Sequence, residues 1–179
     1  MRHVLIVLAL AIPLGVAGAE EREHHGPPPP NDPRFEFLKK LEGTWKGDTG
    51  KEGKPEGVFE FRVTAGGHAV EERDFVGSPM EMLTVYHMDG EDLVATHYCM
   101  VGNQPRVKAA KKIRDDTLAF SCSGRPGNAG SHDDGHIHGW SMRLDREGRL
   151  HYSGEFLEKG EVTEKPSFVM TKQRKTASR

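Results

Sequence analysis

Asp92-Leu93-Val94-Ala95-Thr96-His97-Tyr98-Cys99-Met100-Val101-Gly102-Asn103-Gln104-Pro105-Arg106 reads as a strand, a tight polar turn and the first residue of the next strand. Gly102 and Asn103 tolerate positive φ, and Pro105 has no N–H to give to a central ladder, so the chain must reverse between Met100 and Arg106. Strand alternation puts Leu93, Ala95, His97 and Cys99 on one face, taken as the inward one, and Val94, Tyr98 and Met100 on the other. Asn103, Gln104 and Arg106 crowd the turn with hydrogen-bond donors. The turn is therefore expected to form one wall of a pocket.

Outward from this hairpin, almost every segment alternates and almost every gap is a turn. Ten strands are expected: Thr44–Thr49, Val58–Thr64, His68–Val76, Met80–Met88, Asp92–Met100, Arg106–Ile113, Thr117–Cys122, His136–Leu144, Leu150–Leu157 and Val162–Thr171. Short connections such as Ala65-Gly66-Gly67, Asp89-Gly90-Glu91 and Asp145-Arg146-Glu147-Gly148 make sequence neighbours pair antiparallel. Ten strands with one apolar face close most economically into an up-and-down barrel, because closure removes both exposed edges. Before them, Asn31-Asp32-Pro33 is a helix start, and Phe35, Leu38 and Leu41 follow at helical spacing until Gly43. The expected fold is all-β, a ten-stranded antiparallel barrel with a short N-terminal helix over one end.

Phe37-Leu38, then Glu42-Gly43-Thr44-Trp45-Lys46-Gly47, resembles the helix-then-Gly-x-Trp opening of calycin barrels: lipocalins, fatty-acid-binding proteins and nitrobindins. The strand count fits the last two better than the lipocalins. Thr96-His97-Tyr98-Cys99, Gly102-Asn103-Gln104-Pro105-Arg106 and Asp133-Asp134-Gly135-His136-Ile137-His138 also look like stretches in a group of exported bacterial proteins of this kind whose function is not established. The resemblance implies an internal cavity and, by analogy alone, a binding role. It also raises haem, which nitrobindins hold by a histidine on the last strand. Val162–Thr171 contains none, so haem here would need His97, His136 or His138 in another geometry.

The chain ahead of the helix reads as an export leader and a spacer. Residues 1–19 carry Arg2, an apolar run from Val4 to Leu14 and the small-residue site Ala17-Gly18-Ala19, the pattern of a cleaved secretory signal. The run is too short to span a bilayer, and Glu20-Glu21-Arg22-Glu23 follows it at once. An exported protein, periplasmic or secreted, is expected. Residues 20–34 form a Pro-rich linker, with His24-His25-Gly26 and then Pro27 to Pro30, and residues 35–179 form one domain. The net charge of −2, or −3 once Arg2 leaves with the signal, gives nucleic acid nothing to bind. Nothing in the sequence sets an oligomeric state.

A meander also assigns residues to its two ends. The ends of the strands carrying His97, Cys99 and Cys122 lie together with the turn at Gly102–Pro105, the start of the strand carrying His136 and His138, the glycine-rich loop between, and Met80 and Met82. Hydrophobicity places His136, His138, Trp140, Met142 and Leu144 on the inward face of their strand. Inward Val70 carries Glu72 inward too, where the carboxylate needs a partner such as Arg106 or a histidine. The expected ligand-binding residues are His97, Cys99, Asn103, Gln104, Arg106, Glu72 and Trp140.

His136 and His138, two apart on a strand, can reach one ion, with His97, Cys99 or water completing a transition-metal site for zinc or copper. The competing reading has these histidines hydrogen-bonding Asp133, Asp134 or the loop backbone. A cupin-like motif beginning at Gly130 and His136-Ile137-His138 breaks where it needs glutamate, at Met142 and Arg143. Catalysis by His97 as base and Cys99 as nucleophile lacks any helix N-terminus or glycine nest for an oxyanion. For Cys99 and Cys122, an oxidising compartment favours a disulfide, whereas one intervening strand sets their Cα atoms roughly 9–10 Å apart, beyond the roughly 7 Å limit. The functional expectation is a small-ligand-binding barrel with a His-lined polar pocket. Its rival is an interaction barrel whose interior side chains fill.

Overall fold

The computed structural model describes residues 27–48, 57–122, 127 and 133–174. The expected signal, residues 20–26 of the Pro-rich linker with the His24-His25 pair, and most of the glycine-rich loop lie outside the described residues.

The first element is helix α1, Pro33–Lys40, which begins where Asn31-Asp32-Pro33 marks a start, because Asp32 caps it. The Asp32 side chain accepts the Arg34 backbone N–H at 2.8 Å, and proline fits the first turn, where its missing N–H removes a donor that would lack a partner anyway. Phe35, Leu38 and Leu41 are all without solvent exposure, as the helical spacing requires. Each such side chain stabilises by about 1.5–3 kcal/mol on burial. Two polar ties complete the plug: Trp45 Nε1 donates to Leu41 O at 2.7 Å, and the buried Arg34 guanidinium donates to Glu91 O at 2.8 Å. Glu91 lies in a turn between two barrel strands, so α1 covers the end of the barrel where that turn sits.

The strands are β1 (Gly43–Asp48), β2 (Gly57–Thr64), β3 (Ala69–Asp74), β4 (Met82–Asp89), β5 (Asp92–Tyr98), β6 (Arg106–Ala109), β7 (Thr117–Cys122), β8 (His136–Leu144), β9 (Leu150–Glu158), β10 (Glu161–Glu164) and β11 (Ser167–Lys172). β1 through β9 pair in sequence order except across the gap from β9 to β1, which β11 fills by pairing with both. Every pairing is antiparallel, and the ring closes with ten staves.

The last stave departs from the single strand expected at Val162–Thr171. It is broken into β10 and β11, with a register shift between Val162 and Glu164. Pro166 sits at the break, where it cannot donate to the ladder, and its carbonyl instead accepts from Gly154 N at 2.9 Å. β3 also ends earlier than expected, because Phe75 takes a left-handed backbone with φ 55° and turns the chain out of the sheet. Its ring packs against Phe59 and Phe168 at centroid distances of 5.3 and 5.7 Å.

Side chains inside the ring form one core. Near the middle, Phe120 stacks on Trp140 at 5.3 Å, and Tyr86 meets Trp140 edge-on at 6.1 Å. Alternation holds on β5, where Leu93, Ala95 and His97 are buried and Tyr98 is exposed. No helix among the described residues is long and apolar enough to cross a membrane.

Candidate functional site

The antiparallel ring brings to the end opposite α1 the last residues of β5 and β7 and the first of β4, β6 and β8. The polar turn after β5 acts there as a buckle. Asn103, nearly fully buried, donates from Nδ2 to Gly135 O at 2.8 Å. Gln104 and Gly127 exchange backbone hydrogen bonds of 2.7 and 3.0 Å. Both contacts tie the long loop to the turn and so hold the chain just before His136. Asn103 and Gln104, expected as pocket donors, spend these groups on the loop; the Gln104 side chain donates back to Gly102 O at 3.2 Å.

From His136 onward the strand is not regular. The register of β8 against β9 shifts between Ile137 and Gly139, so His138 sits in a β-bulge. Gly139 allows this, because a Cβ there would lie 2.5 Å from Phe120 O on β7. The bulge brings the rings of His136 and His138 together, with His138 Nδ1 3.4 Å from His136 Nε2. His136 Nδ1 lies 2.7 Å from Asp134 O. A carbonyl only accepts, so the proton is on Nδ1 and the lone pair of Nε2 faces His138.

Cys122, the last residue of β7, completes the group: one ligand atom from each of Cys122, His136 and His138 lies within 4.8 Å of the others. His136 is fully buried and the other two are half-buried. Imidazole nitrogens about 2.0–2.1 Å from a tetrahedral zinc ion lie about 3.4 Å apart, and His138 Nδ1 and His136 Nε2 are separated by 3.4 Å. Two nitrogens and a sulfur suit zinc or copper, and a fourth position is left for water or a ligand. Burial pushes the Cys122 thiol up, so it carries its proton at neutral pH until a cation displaces it.

His97, expected as the third ligand, lies elsewhere. It is an interior residue of β5, opposite Thr84 on β4, and its Nδ1 is 2.8 Å from Thr84 Oγ1. Its ring centroid is 6.0 Å from that of Trp140. Burial pulls its pKa down to about 4, which keeps the ring neutral, and its Nε2 is buried with no hydrogen-bond partner among the described residues. The third donor beside His136 and His138 is thus Cys122 rather than His97, because β7 is the strand paired with β8.

Glu72 points inward as parity requires, but its partner is neither Arg106 nor a histidine. The Tyr86 hydroxyl donates to Glu72 Oε2 in a short bond, Tyr152 adds a second phenol, and Asp74 follows on the same face of β3. Arg106 pairs across with Thr96 on the outer face of the sheet, while Val107 opposite Ala95 faces in. The register therefore holds Arg106 away from Glu72.

Cys99 is half-buried with Sγ 3.9 Å from Met82 Sδ, and burial raises its pKa. A raised thiol is a poor nucleophile, which removes the support for a His97–Cys99 pair. Cys99 and Cys122 are not joined in a disulfide, in keeping with the strand β6 that separates their strands.

Inside the barrel, Asp74, His97, Trp140, Tyr152, Met82 and several phenylalanines line a cavity of about 60 Å³. Pockets for drug-sized ligands run to roughly 300–1,000 Å³, so neither a long lipid nor a haem macrocycle enters without repacking.

Asp74, Tyr86, Tyr152 and the grouping of Cys122 with His136 and His138 were not read from the sequence. For Asp74 the signal was present: it shares strand parity with Val70 and Glu72. Compared with family models and with curated proteins, the chain matches none. Fold and site together define a closed ten-stranded antiparallel barrel, consistent with the calycin type, with a thiol–imidazole group at the end opposite α1.

Proposed function

We propose that this protein is an exported calycin-type barrel that binds one transition-metal ion, zinc or copper, at its mouth through Cys122, His136 and His138. The observation that carries the reading is the convergence of three donor atoms within 4.8 Å, with the His136 tautomer set by Asp134 O. The leader-like residues 1–19 support export. The ion would order the end of the barrel and present an open coordination position to a small ligand.

The test is calorimetric titration of untagged protein lacking residues 1–26 with Zn²⁺ and with Cu⁺ under reducing conditions. One ion per chain is expected to bind with proton release and with affinity that weakens as pH falls, because the Cys122 thiol must lose its proton. Cys122→Ser and His138→Ala should each weaken binding at least tenfold, and His97→Gln should leave it unchanged. Equal binding by the wild type and both site variants would sink the proposal.

A further inference from the structure

We infer that the barrel interior holds a second, separate site for a small amino alcohol bound as its ammonium ion, in the cavity where Asp74, His97 and Trp140 meet a wall of aromatic rings. It shares no residue with the Cys122–His136–His138 group and does not rest on metal binding.

Three polar atoms lead to it. Asp74 Oδ1, His97 Nε2 and Trp140 Nε1 are each buried without a hydrogen-bond partner among the described residues, and all three residues line the same cavity. Each of these side chains is more than nine-tenths buried. Orphaned groups of this kind are costly unless something satisfies them. Phe59, Phe75, Phe168 and Tyr152 add aromatic rings to the lining, which Met82 and Ile137 share.

The charge balance selects the ligand. Glu72 and Asp74 act on each other and on Tyr86 and Tyr152, with no lysine or arginine among the groups that shift them. Burial, then the Asp74 charge, hold the Glu72 carboxyl well above the usual range, and burial raises Asp74 to about 7. The pair therefore approaches one negative charge as pH rises past neutrality, with no positive partner among the described residues. An ammonium group supplies that partner, and aromatic faces favour it further. A hard metal ion would need six or more oxygen ligands, which this wall does not offer. An anion would meet the Asp74 charge.

Trp140 Nε1 only donates, so the ligand must also carry an acceptor, and His97 Nε2 is placed to share it. At roughly 10–15 Å³ per water-sized occupant, the cavity takes about four to six non-hydrogen atoms. Ethanolamine has that size, one ammonium and one hydroxyl.

The pH dependence follows from the groups around Asp74: Glu72 on β3, Tyr86 on β4, His97 and Cys99 on and just after β5, and Tyr152 on β9. Both tyrosines and Cys99 are pushed up and His97 is pulled down, so all four stay neutral near pH 7. Glu72 is held well above the usual range, so the charge that appears near neutrality belongs to the Glu72–Asp74 pair.

The probe is ethanolamine, titrated by NMR and calorimetry with a metal chelator present throughout, against ethylene glycol and glycolate as neutral and anionic counterparts. Ethanolamine is expected to bind at least tenfold more tightly than either. Its affinity should rise up to tenfold per pH unit below about 7 and level off above, as Asp74 loses its proton. Asp74→Asn should weaken it at least tenfold, and Trp140→Phe several-fold. Should a variant not fold, the wild-type pH profile and the ranking of the three probes decide alone. Equal binding of ethylene glycol, a flat pH profile, or no ethanolamine binding at tens of millimolar would overturn the inference.

Discussion

His97 and Asp74 line one cavity yet respond to pH in opposite senses. His97 has a folded pKa of about 4 against an ordinary 6.5, so its contribution is present above pH 6.5 and is lost as pH falls through about 4. At ~1.4 kcal/mol per unit, that loss amounts to about 3 kcal/mol. An NMR titration should find its imidazole neutral down to about pH 4; protonation near 6 would contradict the buried placement. Asp74 is raised from 3.8 to about 7, so its contribution is full below pH 3.8 and is lost as pH rises through about 7. Asp74→Asn is therefore expected to raise Tm at pH 8, with the difference from wild type closing by pH 4. A variant less stable than wild type at pH 8 would show that Asp74 has a cationic partner in the folded protein. Inward placement of Glu72 and His97 was legible from alternation alone. Their partners were not, because Tyr86 and Tyr152 belong to β4 and β9, and which phenol reaches which carboxylate depends on register across strands.

At the scale of elements, β8 and the loop before it determine the mouth. His136 and His138 meet because β8 is bulged, and the loop arrives in place because Asn103 holds Gly135 O. Asn103→Ala removes that donor and leaves a carbonyl unsatisfied, for an expected loss of about 1–3 kcal/mol. Hydrogen exchange should speed up at Gly135 and His136 while β2–β4 amides keep their protection. Unchanged exchange at both residues would mean that the Gln104–Gly127 bridge alone holds the loop. The sequence marked Gly102-Asn103-Gln104-Pro105 as a turn rich in donors, and that reading stands in position. Its use was different, since the Asn103 amide holds the long loop and the Gln104 side chain turns back to Gly102 O.

For the molecule as a whole, closure is the main constraint. β11 bridges β9 and β1, so ending the chain after Glu164 would expose both of those strands as edges. The truncated protein is expected to lose cooperative unfolding and to aggregate in size-exclusion chromatography; a monomeric, cooperatively melting product would show that the ring is not needed. The sequence by itself determined the all-β class, the stave count, the capping helix and the grouping of residues at each end. Two-residue alternation, Gly- and Asp-rich turns and the Asp32-Pro33 start are local features, written in neighbours a few residues apart. Only the tertiary structure decided that Cys122 rather than His97 joins His136 and His138, that Arg106 faces outward, that proline splits the last stave, and that the interior narrows to a small aromatic cavity. Bulges, cross-strand register and the packing of rings from distant strands are set by how non-neighbouring segments fit together, and no periodicity in the chain records that fit.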